Sequence, residues 1–407
     1  MADRPQTLVA DAAALERCAQ AIARAPRVGL DTESNGFHAY FERVCLVQLA
    51  TDGEDFVVDP LALPPGPLLP LLADPAREVV LHAAEFDVVS LRRDHGLRIG
   101  RIFDTHAAAK VLGLPRVGLG DLVADQLGIR LSEDEQRSDW GRRPLSPAQL
   151  AYAFADVRHL LPLRERLGEQ LRAGGREAEA WAEFERLRMK EARPRAFDPE
   201  GWQKMKAART LEGKGRAVLR ALYLLRDLRA RELDRPPFKV LSDLFLAEVA
   251  RRLPATEEAL LAIPGVSPQH LRKVAAQVLA AVAEGQIAPE PDRPRAPARG
   301  RPPWKRNDGQ DPALEGRYQL LRAWRKRRAE ERKVEVQVIV PNAVLLAIAK
   351  AEPRTRDELA RVEGMDAFRF EQYGDEVLAA LGGRNQQEGA PGRAKRPGGP
   401  AQRKLFE

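Results

Sequence analysis

The feature that most constrains this chain is a repeat. Aligned with itself at an offset of 99 residues, without gaps, it matches Leu222 with Leu321, Asp243 with Asn342, Leu246 with Leu345, Pro254 with Pro353, Leu260 with Leu359, Gly265 with Gly364 and Val278 with Val377. Strand signals are missing from both copies, so they describe one all-helical domain used twice, at residues 213–286 and 313–383. The N-terminal half must then be a domain of another kind.

Residues 1–170 alternate strand-like and helix-like runs, the pattern of an α/β domain. "RVGLDTE", "RVCLVQLAT" and "DFVVDP" read as a three-strand meander, and "EVVLHA" as a further strand. "LLPLLADP" and "FDVVSLRRDHGL" carry apolar residues at helical spacing. Residues 171–212 form a connector, within which "AGGREAEAWAEFERLRMKEA" reads as a charged helix. Between the repeats, residues 287–312 include "APEPDRPRAPARGRPPWKR", where proline prevents regular pairing, so a semi-rigid linker is expected. Residues 384–407 hold six Lys/Arg against two Glu and little apolar content, which predicts a disordered basic tail able to touch phosphates.

Composition narrows the function. With 66 Lys and Arg against 59 Asp and Glu, the net charge of +7 suits a polyanionic partner, nucleic acid first. No apolar run approaches the ~20 residues of a membrane span, and the N-terminus lacks the basic start and apolar core of a signal peptide, so a cytoplasmic, membrane-free protein is expected. Two cysteines, Cys18 and Cys45, exclude a disulfide framework and a cysteine-rich zinc site. The absence of a G-x-x-x-x-G-K-[ST] loop disfavours a helicase-associated fragment. No protein partner is evident.

The chemistry rests on acids in awkward places. Asp31 and Glu33 are two apart in a strand-like run and therefore project from the same face. Neighbouring carboxylates are tolerable when a cation lies between them. Asp87 opens a helix after the strand "VVLHA", where the helix dipole also favours an acid. Tyr152 and Asp156 share a face of the helix begun by "SPAQ". A Tyr–Asp pair at that spacing also serves as a purely structural hydrogen bond. Taken together, four carboxylates from separate segments could hold two hard divalent cations, Mg²⁺ or Mn²⁺, a set suited to phosphodiester hydrolysis. Tyr152, with a phenol pKa of about 10, would orient the attacking water rather than deprotonate it.

"DTE", "HAAEFD" and "YAFAD", with "FDTHAAAKVLGL" and "QRSDWGRRPLS" between them, resemble the three exonuclease motifs of the DEDD superfamily, in the tyrosine-containing ribonuclease D branch. The two repeats are similar to the HRDC domains that follow the nuclease domain in that family. The resemblance implies an α/β ribonuclease H-like 3′-to-5′ exonuclease domain followed by two all-α HRDC-like domains. It implies metal binding by Asp31, Glu33, Asp87 and Asp156, with Tyr152 orienting the water. It also implies stepwise removal of nucleotides from RNA 3′ ends, releasing nucleoside 5′-monophosphates, on structured RNA with a single-stranded 3′ end such as precursor tRNA. A DNA 3′-to-5′ exonuclease and a catalytically inactive nucleic-acid-binding protein are the alternatives, since the acids read metal and phosphate rather than sugar.

Further nucleic-acid contacts are expected from residues with a second reading each. His82 could approach the RNA terminus or cap the next helix. Trp140, Arg142 and Arg143 could stack a base and hold phosphates, or anchor their loop. Arg325, Lys326, Arg327 and Arg328 could contact phosphates or form a solvated face, and a neighbouring nuclease favours the former. Asp104 and Thr105 read as helix-start residues.

Overall fold

The computed structural model describes residues 4–132, 134–192, 196–265, 268–292 and 311–382. The basic tail and most of the Pro/Arg-rich linker lie outside the described residues. The chain divides into two compact units, Met1–Gln310 and Asp311–Glu407.

The first unit is built on a mixed six-stranded sheet. Its strands are β1 (Gln6–Val9), β2 (Arg27–Ser34), β3 (Val44–Ala50), β4 (Asp55–Val58), β5 (Glu78–Leu81) and β6 (Ile102–Asp104), in the order β1-β4-β3-β2-β5-β6. The expected meander is β2-β3-β4, all antiparallel, and β5 and β6 add in parallel beside β2. β1, parallel to β4, and β6 have no counterpart among the runs read as strands. Four and three residues are too few to show alternation.

β3, β4 and β5 are buried along their whole length. Cys18 and Cys45 are fully buried, and burial pushes their thiols up to about 12 and about 11, so both are packing groups. The helix Glu177–Arg188 does more than connect. Its buried Phe184 packs 4.7 Å from Phe103 of β6, closing that edge of the sheet.

The two helical repeats obey the 99-residue offset in detail. Pro237–Val240, Asp243–Arg252 and Glu257–Leu261 recur as Val336–Ile339, Asn342–Ala351 and Arg356–Ala360. Left-handed residues recur at the same turns: Asp234 and Lys333, Leu253 and Glu352, Gly265 and Gly364. The first repeat also draws Trp202 and the ring of Tyr40 against its core. Among the described residues, no helix is long and apolar enough to cross a membrane.

Candidate active site

Asp31 and Glu33 lie on the C-terminal half of β2. There β3 pairs on one side, while β5 pairs only as far as Gly29, so the other flank of the strand end is open. The helix Glu85–His95 fills that flank and brings in Asp87. The helix Pro147–Arg158 crosses the face above. Its start is fixed by a capping box in which Ser146 Oγ accepts from Gln149 N and Ser146 N donates to Gln149 Oε1. Gly29 allows that helix close, because a Cβ there would meet the Val157 carbonyl oxygen at 3.2 Å.

This packing places one carboxylate oxygen each from Asp31, Glu33 and Asp156 within 4.8 Å of one another. Tyr152 donates its hydroxyl to Asp156. Asp87 stands beside this trio rather than within it: its Oδ1 accepts from Thr32 Oγ1 at 2.6 Å. A cavity of about 400 Å³ is lined by Asp31, Glu33, His82, Gln136, Tyr152 and Asp156.

No Lys or Arg among the described residues forms an ion pair with Asp31, Glu33 or Asp87. Burial, then the charge of Asp156, pushes Asp31 up to about 8; burial, then Asp31, pushes Glu33 up to about 10. Burial and Asp31 also hold Asp87 well above the usual carboxylate range. An all-oxygen set with repelling charges fits a hard divalent cation, which would relieve that repulsion. Tyr152, raised by burial and by Asp156, stays a neutral phenol.

His82 lines the cavity and hydrogen-bonds Thr105 through Nδ1 at 2.9 Å. Burial, then His106, lowers its pKa to about 4, so it is neutral. Asp104 caps the helix Thr105–Leu112 as expected, accepting from Ala107 N.

Three expected RNA contacts are spoken for inside the fold. Trp140 is 1% exposed and packs its ring 5.9 Å from Tyr152, which rules out base stacking and makes it a support for the tyrosine. Arg143 donates to Asp59 through Nε and Nη2, and to the Trp140 and Cys45 carbonyls, so it anchors the loop. Arg325 is buried and donates to the Val340 carbonyl and to Asn342 Oδ1. Its repeat partner Arg226 does the same with Leu241 and Asp243, so this arginine belongs to the architecture of the helical domain. Arg142, Lys326 and Arg327 are exposed, while Arg328 is held by Glu331 and Glu376.

Sequence reading missed Gln48. It sits directly across from Asp31 in the β2–β3 register, fully buried, with both amide atoms lacking a hydrogen bond to a described residue. A polar residue in an otherwise apolar strand is the signal that could have found it.

Residues 6–172 match the model of the 3′-5′ exonuclease family, and residues 215–282 and 315–381 each match the HRDC domain. Ribonuclease D of Gluconacetobacter diazotrophicus is 35% identical, over 89% of each chain. The chain belongs to the ribonuclease D family. It is a 3′-to-5′ exoribonuclease, with an exonuclease domain followed by HRDC domains. Among solved structures it is similar to Escherichia coli ribonuclease D, described as an exoribonuclease involved in structured RNA processing, at 25% identity and a TM-score of 0.63 over 93% of this chain and 98% of that one. The catalytic core of Trypanosoma brucei Rrp6 is 26% identical with a TM-score of 0.65, over 70% of this chain and 80% of that one. Exonucleases of this superfamily depend on divalent metal, in keeping with the acidic trio.

Proposed function

We propose that this ribonuclease D-family enzyme trims single-stranded 3′ ends of structured RNA, precursor tRNA included, in the cytoplasm. Its sheet domain, residues 1–170, carries the chemistry, and the repeats at 213–286 and 313–383 engage the RNA. Asp31, Glu33, Asp87 and Asp156 hold two divalent ions, Mg²⁺ or Mn²⁺. The observation that carries this reading is the convergence of Asp31, Glu33 and Asp156 within 4.8 Å beside Tyr152.

When bound, the ions supply Lewis acidity, favouring deprotonation of water and charge on the leaving oxygen. The remaining work belongs to the protein. Water attacks the terminal phosphorus, the bond to the 3′ oxygen of the preceding nucleotide breaks, and a nucleoside 5′-monophosphate leaves. Tyr152 cannot act as the base, since burial and Asp156 keep it protonated. With its own proton committed to Asp156, its oxygen accepts a hydrogen bond from the water and fixes the direction of attack. His82, neutral at the cavity wall, lies where it can contact the terminal nucleotide. Arg142, Lys326 and Arg327 contact phosphates.

The test is degradation of matched RNA and DNA strands with Mg²⁺, with Mn²⁺ and with chelator. Metal-dependent loss of RNA 3′ nucleotides, ahead of DNA, is the expected result. Faster loss of DNA would make the protein a DNA exonuclease, and binding without cleavage would make it an inactive nucleic-acid-binding protein.

A further inference from the structure

Residues 35–43 run directly on from the Glu33 end of β2 and meet the first helical repeat. Asp234 Oδ1 accepts from both Tyr40 N and Phe41 N, at 3.0 Å each, and Tyr40 donates its hydroxyl to Asp227 Oδ1 at 2.7 Å. Lys239 Nζ donates to His38 Nδ1 at 3.2 Å, and the Arg231 guanidinium lies 5.7 Å from the Tyr40 ring centroid. The loop is therefore fixed to the repeat by both backbone and side chain.

What this seam displays is unusual for a surface. Phe37, Phe41 and Phe238 are 59%, 57% and 53% exposed. They flank the bonded residues: Phe37 beside His38, Phe238 beside Lys239, and Phe41 with its ring 5.0 Å from that of Tyr40. Exposed rings gathered in one place mark a binding surface.

The charge around them selects the ligand. Arg43, Arg137, Arg142 and Arg235 are exposed and form no ion pair with a described residue. Of the seam's acids, Asp227 and Asp234 are occupied by Tyr40, Arg231 and the loop amides, Glu42 pairs with Arg93, and Asp139 lies 3.7 Å from His38 Nδ1. Aromatic faces interleaved with unpaired cations fit single-stranded nucleic acid, whose bases stack while its phosphates find the cations. The surface is also continuous with the cavity. His38 Nε2 donates to the Arg137 carbonyl at 3.2 Å, and the preceding residue, Gln136, lines the cavity.

We infer that the seam between residues 35–43 and the first helical repeat binds the single-stranded RNA lying 5′ of the nucleotide being removed, its bases on Phe37, Phe41 and Phe238 and its phosphates on Arg43 and Arg235. This rests on the RNA reading of the cavity. It gives the first repeat a direct part in substrate binding, and the Tyr40 hydrogen bonds keep the platform in line with the acids.

The test uses the full chain and a fluorescent single-stranded RNA, with binding measured in chelator so that cleavage plays no part. Combined F37A, F41A and F238A substitution is expected to weaken binding about ten-fold or more. R43Q with R235Q is expected to lower the slope of log affinity against log salt by about 0.7 for each phosphate that is no longer neutralised. Unchanged affinity in the first variant and unchanged salt slope in the second would overturn the inference and leave the patch to a protein partner. Wild type that binds through these residues yet cleaves no RNA would overturn the proposed activity and not this surface.

Discussion

Thr32 Oγ1 donates to Asp87 Oδ1 at 2.6 Å, joining the two acid-bearing elements through a residue that points away from Asp31 and Glu33. Both groups are buried, so the bond fixes which way the Asp87 carboxylate faces.

Thr32→Val keeps the shape and loses that bond. A group that orients a ligating carboxylate is worth about 10–100-fold in metal affinity, so cleavage should need roughly ten-fold more Mn²⁺. Thr32→Ser should restore the wild-type Mn²⁺ titration. A Val variant with an unaltered titration would show that Asp87 needs no such support.

Glu33 has the same physics in its titration. Its carboxyl is pushed up to about 10 by burial and then by Asp31, against about 4.3 in the unfolded chain. Above pH ~4 the unfolded state releases this proton and the folded state keeps it, so stability in chelator falls as pH rises through that window. Glu33→Gln should therefore melt about 3 °C or more higher than wild type at pH 8 in chelator, with the gap closing toward pH 4. Added Mg²⁺ should narrow the gap by stabilising wild type alone. A variant that melts lower at pH 8 would contradict this.

Arg325 and Arg327 are two residues apart and should behave oppositely. Truncating buried Arg325 leaves the Val340 carbonyl and Asn342 without their charged donor, a loss of about 3 kcal/mol in the second repeat, visible in thermal melts. Arg327→Ala should leave stability within about 0.5 kcal/mol of wild type and weaken RNA binding.

Gln48→Leu tests whether the sheet under the acids carries a cost for function. Removing a buried amide that has no hydrogen bond to a described residue should raise stability by about 1 kcal/mol, read from denaturant unfolding. Because the amide lies across from Asp31, cleavage should fall. Loss of stability would show that the amide is already satisfied.

The legible parts of this fold were those that repeat or alternate. The 99-residue offset returned as matching helices and as paired left-handed turns, and the period of two put Asp31 and Glu33 on one face. Asp156 was readable from its spacing to Tyr152 and from the Ser-Pro start of its helix. Packing that depends on how distant segments meet was not. Nothing along the chain shows that Trp140 turns inward onto Tyr152 while Phe37 and Phe41 turn outward, because a loop carries no period to mark its buried side. Arg325 was misread for a related reason. It belongs to a run of cations on one helix, and only the fold shows which of them faces the core.

The most direct test of the account follows a 5′-labelled structured RNA with a single-stranded 3′ tail, incubated with wild type and with Asp156→Ala in Mg²⁺, in Mn²⁺ and in chelator. The account predicts a ladder shortening from the 3′ end, dependent on metal and absent in the variant. Cleavage that persists in Asp156→Ala or in chelator would contradict it.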